Sequence, residues 1–289
     1  METHEAFAYC QRLARDHYEN FPVASFLVPR AQRRFVACVY AFARTADDFA
    51  DEGVLAGPER LRNLDDWEEK LVACFAGEAD HPVFIALRAT IEATDIPQEP
   101  LRSLLRAFKM DAVGHRYQTF DELLEYCAHS ANPVGRLVLH LFGQATDTTL
   151  PMSDHICTAL QLTNFWQDVA VDFAKGRIYI PLEDFDRFGY TEEDLGRGRA
   201  DDRFRALLRF QLERTRRLFR AGEPLIGMTG GRLRHELALT VSGGMAILDS
   251  IERTGYDTLS RRPTLSAGDT MFMFWQALSP SRLWTQRHR

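Results

Sequence analysis

Apolar residues recur along most of this chain with helical rather than strand periodicity. Between Leu237 and Ile251 the positions Leu237, Val241, Met245, Leu248 and Ile251 step by four, four, three and three, which is one face of an α-helix. Alternating runs of β type are scarce. The strongest, Arg177-Ile-Tyr-Ile-Pro181, is short and closed by proline, so it reads as an extended connector. Breakers divide the rest. Gly53–Pro58 ends the first long helix, and Gly77–Pro82, Asp95–Pro100, Asp147–Ser153, Gly196–Asp202 and Gly222–Gly231 mark further turns. Asn132-Pro133 reads as an N-cap followed by proline in the first helical position. No repeat, low-complexity tract or long linker interrupts the pattern. The expectation is an all-α chain, one domain over residues 1–289, of roughly ten helices, and a core of this size can enclose an apolar cavity.

Composition then removes function classes. The formal net charge is −6, so the basic face of a general nucleic-acid binder is missing and no nucleic-acid partner is expected. An anionic ligand would need cations supplied locally, by metal ions or a few placed arginines. Five dispersed cysteines without a C-x-x-C spacing argue against a disulfide framework or zinc site and for small core residues in a reducing compartment. The charged N-terminus has no apolar signal-peptide core, and uncharged stretches such as Thr270–Ser281 are short of the ~20 residues a spanning helix needs. A cytoplasmic location is expected, with peripheral contact at the inner membrane face as an addition. The terminal MFMFWQALSPSRLWTQRHR, aromatic and then basic, fits either a membrane-docking tail or a docked terminal helix.

Two carboxylate clusters carry the chemistry. The first, Asp47-Asp48-Phe49-Ala50-Asp51-Glu52, closes the helix that begins near Phe35. Residues three and four apart share a helix face, so Asp47 stacks on Asp51 with Asp48 beside it. The second is Asp168 and Asp172, again at i and i+4, with Asn164 one turn earlier. Two carboxylates one turn apart repel unless a cation lies between them. Oxygen ligands suit Mg²⁺, which keeps several waters and accepts substrate phosphate oxygens. Two such helices facing each other at the mouth of a bundle would hold a metal–diphosphate cluster.

A solvated acidic helix end is the bland alternative. Against it, both clusters sit in otherwise apolar helices, neither has a lysine or arginine at i+4, and the second follows thirteen uncharged residues, His155–Gln167. Carboxylates there are poorly solvated and want a counter-ion. Arg44, one turn before Asp47 and Asp48, and Arg177, five residues after Asp172, are candidate anion contacts. Lys175 reads more simply as a surface charge. Phe21, Tyr40, Phe42, Phe165 and Trp166 are candidates to line a pocket and shield a carbocation. Taken singly, an aromatic at helical spacing is more often plain core. Gly243-Gly244 inside a helical pattern signals close approach of another helix or of a ligand.

At YAFARTADDFADEG (40–53) and LQLTNFWQDVAVDFAKGRIYIP (160–181) the chain resembles the head-to-head trans-prenyl synthases, the squalene and phytoene synthases. The resemblance runs from His17 to about Arg262 and implies the isoprenoid synthase fold, a single helical bundle around a central apolar cavity. Within that family ENFPVASFLVPR (19–30), YCAHSANPVGRLVLHLFG (126–143) and NFWQDVAVD (164–172) resemble the bacterial hydroxysqualene synthases of hopanoid biosynthesis, often called simply squalene synthases.

The implied reaction ionises presqualene diphosphate, rearranges the cation and captures it with water, giving hydroxysqualene and diphosphate without NADPH. That is a carbon–oxygen lyase within a family of transferases. By the same resemblance Asp47, Asp51, Asn164, Asp168 and Asp172 would bind two or three Mg²⁺, with Asp48 assisting. Tyr40, Arg44 and Gln161 would contact substrate, joined by Phe21 and Arg177 as candidates read from their positions. The family also implies work alongside other enzymes of hopanoid or squalene biosynthesis.

Two departures stand out. Where phytoene and dehydrosqualene synthases carry an H-S-K-S-F-like segment, this chain reads His17-Tyr18-Glu19-Asn20-Phe21, with glutamate for lysine. Where they carry arginine before the second acidic motif, it has Gln167. Condensing two prenyl diphosphates needs two anion subsites, whereas converting presqualene diphosphate needs one. Losing two basic groups fits the second step alone, since Glu19 would repel a second diphosphate. His17, Tyr18, Asn20 and Asn132 are the candidates to hold the capturing water. Three rival readings remain: condensation of two farnesyl diphosphates to presqualene diphosphate, squalene or dehydrosqualene; phytoene synthesis; and a catalytically silent assembly protein of the same fold.

Overall fold

The computed structural model describes residues 1–16, 28–51, 57–114 and 116–265, with the side chain of Asp51 excepted. Within them the chain is helical. In order the elements are α1 (Thr3–Asp16), α2 (Arg30–Asp51), α3 (Gly57–Phe75), α4 (Pro82–Thr94), α5 (Gln98–Val113), α6 (Phe120–Ser130), α7 (Asn132–Leu141), α8 (Thr149–Gln167), α9 (Val169–Ala174), α10 (Leu182–Phe188), α11 (Glu192–Gly196), α12 (Asp202–Gly222), α13 (Pro224–Met228) and α14 (Gly231–Arg253). These are fourteen helices rather than about ten. The excess is the short set α9, α10, α11 and α13, too brief to show a period in sequence.

No strand occurs among the described residues. Arg177–Pro181 is the extended connector expected, and it makes one isolated bridge, Ile178 to Arg116. Asp147–Ser153 is not a turn throughout. Helix α8 already starts at Thr149, because Pro151 is tolerated in a first turn. Thr146 and Thr149 cap that start reciprocally, each hydroxyl accepting from the other's backbone N–H at 2.8 and 3.1 Å. All five cysteines are thiols, four of them buried.

The chain forms two compact units, one of residues 1–114 and 129–150, the other of 115–128 and 151 onward. In the first, α1 packs on α2 and α4, α2 on α3, α4, α5 and α7, and α3 on α4 and α5. Its core is built on α2, whose Phe35, Cys38, Phe42, Ala46 and Ala50 are buried at steps of three and four. Phe42 stacks on Trp67 at 6.1 Å and meets Phe84 edge-on at 6.0 Å. It is fully buried, so this candidate pocket aromatic is core. Asp95, left-handed at φ 52°, ends α4 by returning its N–H to the Ile91 carbonyl, and Pro97 follows.

In the second unit α12 is the central element, packed against α10, α13 and α14. Asp201 caps it, its carboxylate accepting from the Phe204 N–H at 3.0 Å. Trp166 is fully buried and donates from Nε1 to Thr215 on α12 at 2.8 Å, so it too is core rather than pocket lining. That bond fixes the end of α8 that carries the second acidic cluster.

Two glycines set how closely these helices approach. A Cβ on Gly244 would lie 2.4 Å from the Phe219 ring and 3.0 Å from Leu160, so the Gly243-Gly244 signal is explained by helix packing. A Cβ on Gly222 would lie 2.7 Å from the Met152 carbonyl oxygen and 2.6 Å from Ile156. A backbone oxygen cannot rotate away as a side chain can. Gly222→Ala is therefore expected to cost about 1–3 kcal/mol through forced separation of α12 from α8, read as a lower urea midpoint. An unchanged midpoint would show that the two helices are not in contact there.

Candidate active site

The acidic end of α2 is electrostatically unfavourable by itself. A helix C-terminus carries partial negative charge, yet the last turn of α2 holds aspartates and no basic residue. Arg44 reaches forward from the previous turn, placing Nη2 2.6 Å from Asp48 and Nη1 3.3 Å from Asp47. Arg60 of α3 donates to the Ala50 carbonyl at 2.5 Å and brings a second cation to the helix end. Asp47 and Asp48 are each about a third to two-fifths exposed, so they remain open to solvent-borne cations. Tyr40, one turn before Arg44, is half-buried. Burial raises its phenol, Arg44 opposes the rise, and Asp47 and Asp48 add to it. The sequence candidates Tyr40, Arg44, Asp47 and Asp48 thus occupy one helix end. The side chain of Asp51, and Phe21, His17, Tyr18, Glu19, Asn20 and the 271–289 tail, lie outside the described residues.

The second cluster lies where α8 passes into α9. The helix is interrupted at Asp168 (φ −105°, ψ 16°). Both rungs across the break nevertheless form: Asp168 N–H donates to Asn164 O at 2.9 Å, and Asp172 N–H to Asp168 O at 2.8 Å. The register Asn164, Asp168, Asp172 is therefore kept at one turn per step. Gln161, half-buried, and Asn164, exposed, precede the aspartates on α8.

After α9 the chain reverses at Gly176 (φ 75°), and the Arg177 N–H returns to the Asp172 carbonyl at 2.8 Å. Arg116 holds that turn, donating to the Gly176 carbonyl at 3.1 Å and to Glu192 at 3.2 Å. A small pocket follows, lined by Phe165, Val169, Asp172, Arg177, Ile178, Tyr179, Ile180 and Leu195. Phe165 and Tyr179 stack face to face in it at 3.7 Å, and Tyr126 and Tyr117 extend the aromatic wall. Asn132, a candidate water holder, is buried at the start of α7.

Asp172 shows what this site lacks. Burial, then the neighbouring charge of Asp168, push its carboxyl up to about 6, only partly offset by Arg177, Lys175 and Arg262. A carboxylate so placed is short of positive charge. An all-oxygen set of Asn164, Asp168 and Asp172, repeated by Asp47 and Asp48, suits a hard divalent cation. No group of three or more histidine, cysteine, aspartate or glutamate side chains converges on one point among the described residues. The donor chemistry thus fits Mg²⁺ held with waters and substrate oxygens rather than in an all-protein cage.

At the second cluster sequence reasoning missed a cation. Arg262, 94 residues away, grips Asp168 with both arms of its guanidinium, Nη2 lying 3.1 Å from Oδ2 and Nε bonding Oδ1. Gln167 is also not what its position suggested. It is 5 % exposed, and its Nε2 donates to the Pro263 carbonyl at 2.6 Å. The residue before Asp168 is thus not basic, as the sequence reads, and the arginine found on Asp168 comes from elsewhere in the chain.

The squalene/phytoene synthase family matches residues 14–269 of this sequence. The chain belongs to that family. Among its relatives, a phytoene synthase of Arthrospira platensis is 34% identical over 271 residues, covering 89% of this chain and 87% of that protein. A hydroxysqualene synthase of Rhodopseudomonas palustris is 35% identical over 264 residues, covering 90% and 88%. The crystal structure of squalene synthase HpnC from Alicyclobacillus acidocaldarius superposes with a TM-score of 0.84 at 43% identity, covering 88% of this chain and 96% of that one. A ligand-bound dehydrosqualene synthase superposes at 0.85 with 24% identity, which bears on fold alone. The fold is the all-α isoprenoid synthase fold of these enzymes. No described helix is long and apolar enough to cross a membrane.

Proposed function

We propose that this family member is a hydroxysqualene synthase, converting presqualene diphosphate and water to hydroxysqualene and diphosphate with Mg²⁺ and without NADPH. The observation that carries the metal–diphosphate chemistry is the Asp168–Asp172 pair, held one turn apart through the break between α8 and α9, where burial and Asp168 push the Asp172 carboxyl up to about 6. The choice of a C30 squalene-type product over phytoene is supported by the 43% identity to a squalene synthase structure. The hydroxysqualene branch is supported by the segments 19–30, 126–143 and 164–172 and by the Rhodopseudomonas palustris relative.

Bound Mg²⁺ would supply charge neutralisation for the departing diphosphate. The chain's own residues do the rest. In one unit Asp47 and Asp48 near the end of α2, joined by Asp51, would offer oxygen donors; in the other Asn164, Asp168 and Asp172 would do so. Arg44, beside Asp47 and Asp48, and Arg177, near Asp172, would hold diphosphate oxygens as the cyclopropylcarbinyl C–O bond of presqualene diphosphate breaks. Tyr40 precedes the α2 aspartates by two turns and Gln161 precedes Asn164 by one, and each would orient the substrate from its own helix. Phe165 and Tyr179 offer stacked π-faces next to Asp172, which suits a passing carbocation and keeps bulk water from it. One ordered water then adds to the cation and loses a proton, giving the alcohol.

Gln167, where phytoene and dehydrosqualene synthases carry arginine, is buried on Pro263, and Arg262 stands on Asp168. The single-diphosphate reading leans on Glu19, on Gln167 and on the branch resemblance. Mass spectrometry of products made with Mg²⁺ and no NADPH, from presqualene diphosphate and farnesyl diphosphate in separate reactions, tests it. Hydroxysqualene from the first and nothing from the second is the expected result. Turnover of farnesyl diphosphate alone would instead assign a condensing synthase with the same metal site.

A further inference from the structure

We infer that Gln167 is a positioning residue that holds Arg262 on Asp168, so that Arg262 competes with a divalent cation for that carboxylate. The inference rests on the metal reading of the Asp168–Asp172 pair.

Residues 261–265 follow α14 outside any helix. Two side chains bond backbone carbonyls there. The amide of Gln167 donates to the Pro263 carbonyl at 2.6 Å, and Ser250 Oγ donates to the Thr264 carbonyl at 3.1 Å. Pro263 is buried between these anchors, while the Arg262 side chain is half exposed and leans back to Asp168. Gln167 and Asp168 are adjacent in sequence. The residue before the aspartate therefore fixes the backbone whose arginine neutralises that aspartate.

Both guanidinium arms are used, one on each carboxylate oxygen. A fork of this kind is geometrically specific. A cation bound to Asp168 must share at least one oxygen with it and lie close to its positive charge. Each oxygen retains a second lone pair, so the competition weakens metal binding without abolishing it. In the metal-free protein Arg262 compensates a carboxylate pair that would otherwise repel. Metal entry shifts Arg262 away from Asp168, and the tether through Pro263 sets how readily it leaves.

The test is Mn²⁺ titration of the full-length protein, followed by electron paramagnetic resonance, without substrate. Gln167→Met keeps the side chain's length and removes its amide, and with it the N–H donor to Pro263, and Arg262→Gln removes the competing charge. The pair is half exposed, so the effects are modest. Arg262→Gln is expected to bind Mn²⁺ roughly fivefold tighter and Gln167→Met roughly two- to threefold tighter. The double variant is expected to match Arg262→Gln, since the two act through one contact.

A merely structural lesion at a buried glutamine would weaken metal binding, so the gain is diagnostic. Hydrogen exchange of the 258–265 peptide in the metal-free proteins reads the tether independently and should quicken in Gln167→Met. Tighter binding in Arg262→Gln with none in Gln167→Met, or additive effects in the double variant, overturns the positioning role. Failure of the unmodified protein to bind Mn²⁺ overturns the metal reading itself and the competition with it. Unchanged exchange alongside normal Mn²⁺ binding overturns only the tether.

Discussion

Replacing Asp172 with asparagine is expected to cut turnover roughly 10²–10³-fold and, in the metal-free protein, to raise the melting temperature. The two effects have one cause. Folding places this carboxyl in a half-buried position one turn from Asp168, which lifts it from its ordinary 3.8 to about 6. A carboxyl raised on folding destabilises the native state wherever it is ionised. That cost is fully present above pH ~6, shrinks as pH falls from about 6 toward 3.8, and is absent below, because the folded chain then binds the proton more readily than the unfolded one.

The group is partly exposed, so solvent screening reduces the effect to about 1 kcal/mol at pH 7–8. Asparagine removes the charge and the cost, giving a gain of about 2–4 °C in melting temperature. The gain should fade as pH is lowered through 5. Millimolar Mg²⁺ should raise the melting temperature of the unmodified protein, because ligand that binds only the native state stabilises it, and should do so less in the variant. A calorimetric scan at pH 5 and 8, with and without Mg²⁺, reads all four conditions. A variant that melts lower at pH 8 would show that Asp172 supports the fold rather than a cation.

The crowding at Asp172 was partly legible in the sequence. The i, i+4 spacing of Asp168 and Asp172 after thirteen uncharged residues predicted crowding and poor solvation, and the structure keeps both rungs through the break at Asp168. The acidic end of α2 was equally plain, because long amphipathic helices carry their period for several turns and Gly53–Pro58 stops it. Arg262 was invisible for a different reason. It follows the last long helix in a stretch with no periodicity, and its partner is 94 residues distant.

At Gln167 the sequence showed the loss of an arginine but not the direction of the side chain that replaces it. It turns inward to Pro263. Phe42 and Trp166 were ambiguous by nature: an aromatic on a buried helix face looks the same whether it lines a cavity or fills a core, and only their packing on Trp67 and Thr215 decides. The short helices escaped because five to seven residues hold fewer than two turns.

The largest stability effect is expected at a place the sequence did not mark. Asp184 of α10 and Arg214 of α12 form a buried ion pair at 2.5 Å, each under a tenth exposed. Gln211 donates to the same carboxylate oxygen at 3.0 Å, and the Arg214 guanidinium lies 3.4 Å from the Phe120 ring centroid. Burial pulls Arg214 down to about 10, while Asp184 holds it up, so it stays charged at neutral pH. Removing the carboxylate by Asp184→Ala strands that charge and the Gln211 amide in an apolar setting. The expected cost is about 3–5 kcal/mol, read as the urea midpoint.

The loss should also reach the site. Helix α10 begins straight after the Arg177–Pro181 connector, and Glu183 beside Asp184 accepts from the Phe120 N–H at 2.7 Å. Loosening α10 releases the strand of chain that carries Arg177 and Tyr179. If the cost comes from the orphaned charge rather than from lost attraction, removing both partners must undo most of it. The double change Asp184→Leu with Arg214→Met is therefore expected to recover to within about 1 kcal/mol of the unmodified protein, because packing then replaces a pair whose desolvation offsets its attraction. A double variant as unstable as Asp184→Ala would place the stabilisation in the ion pair itself.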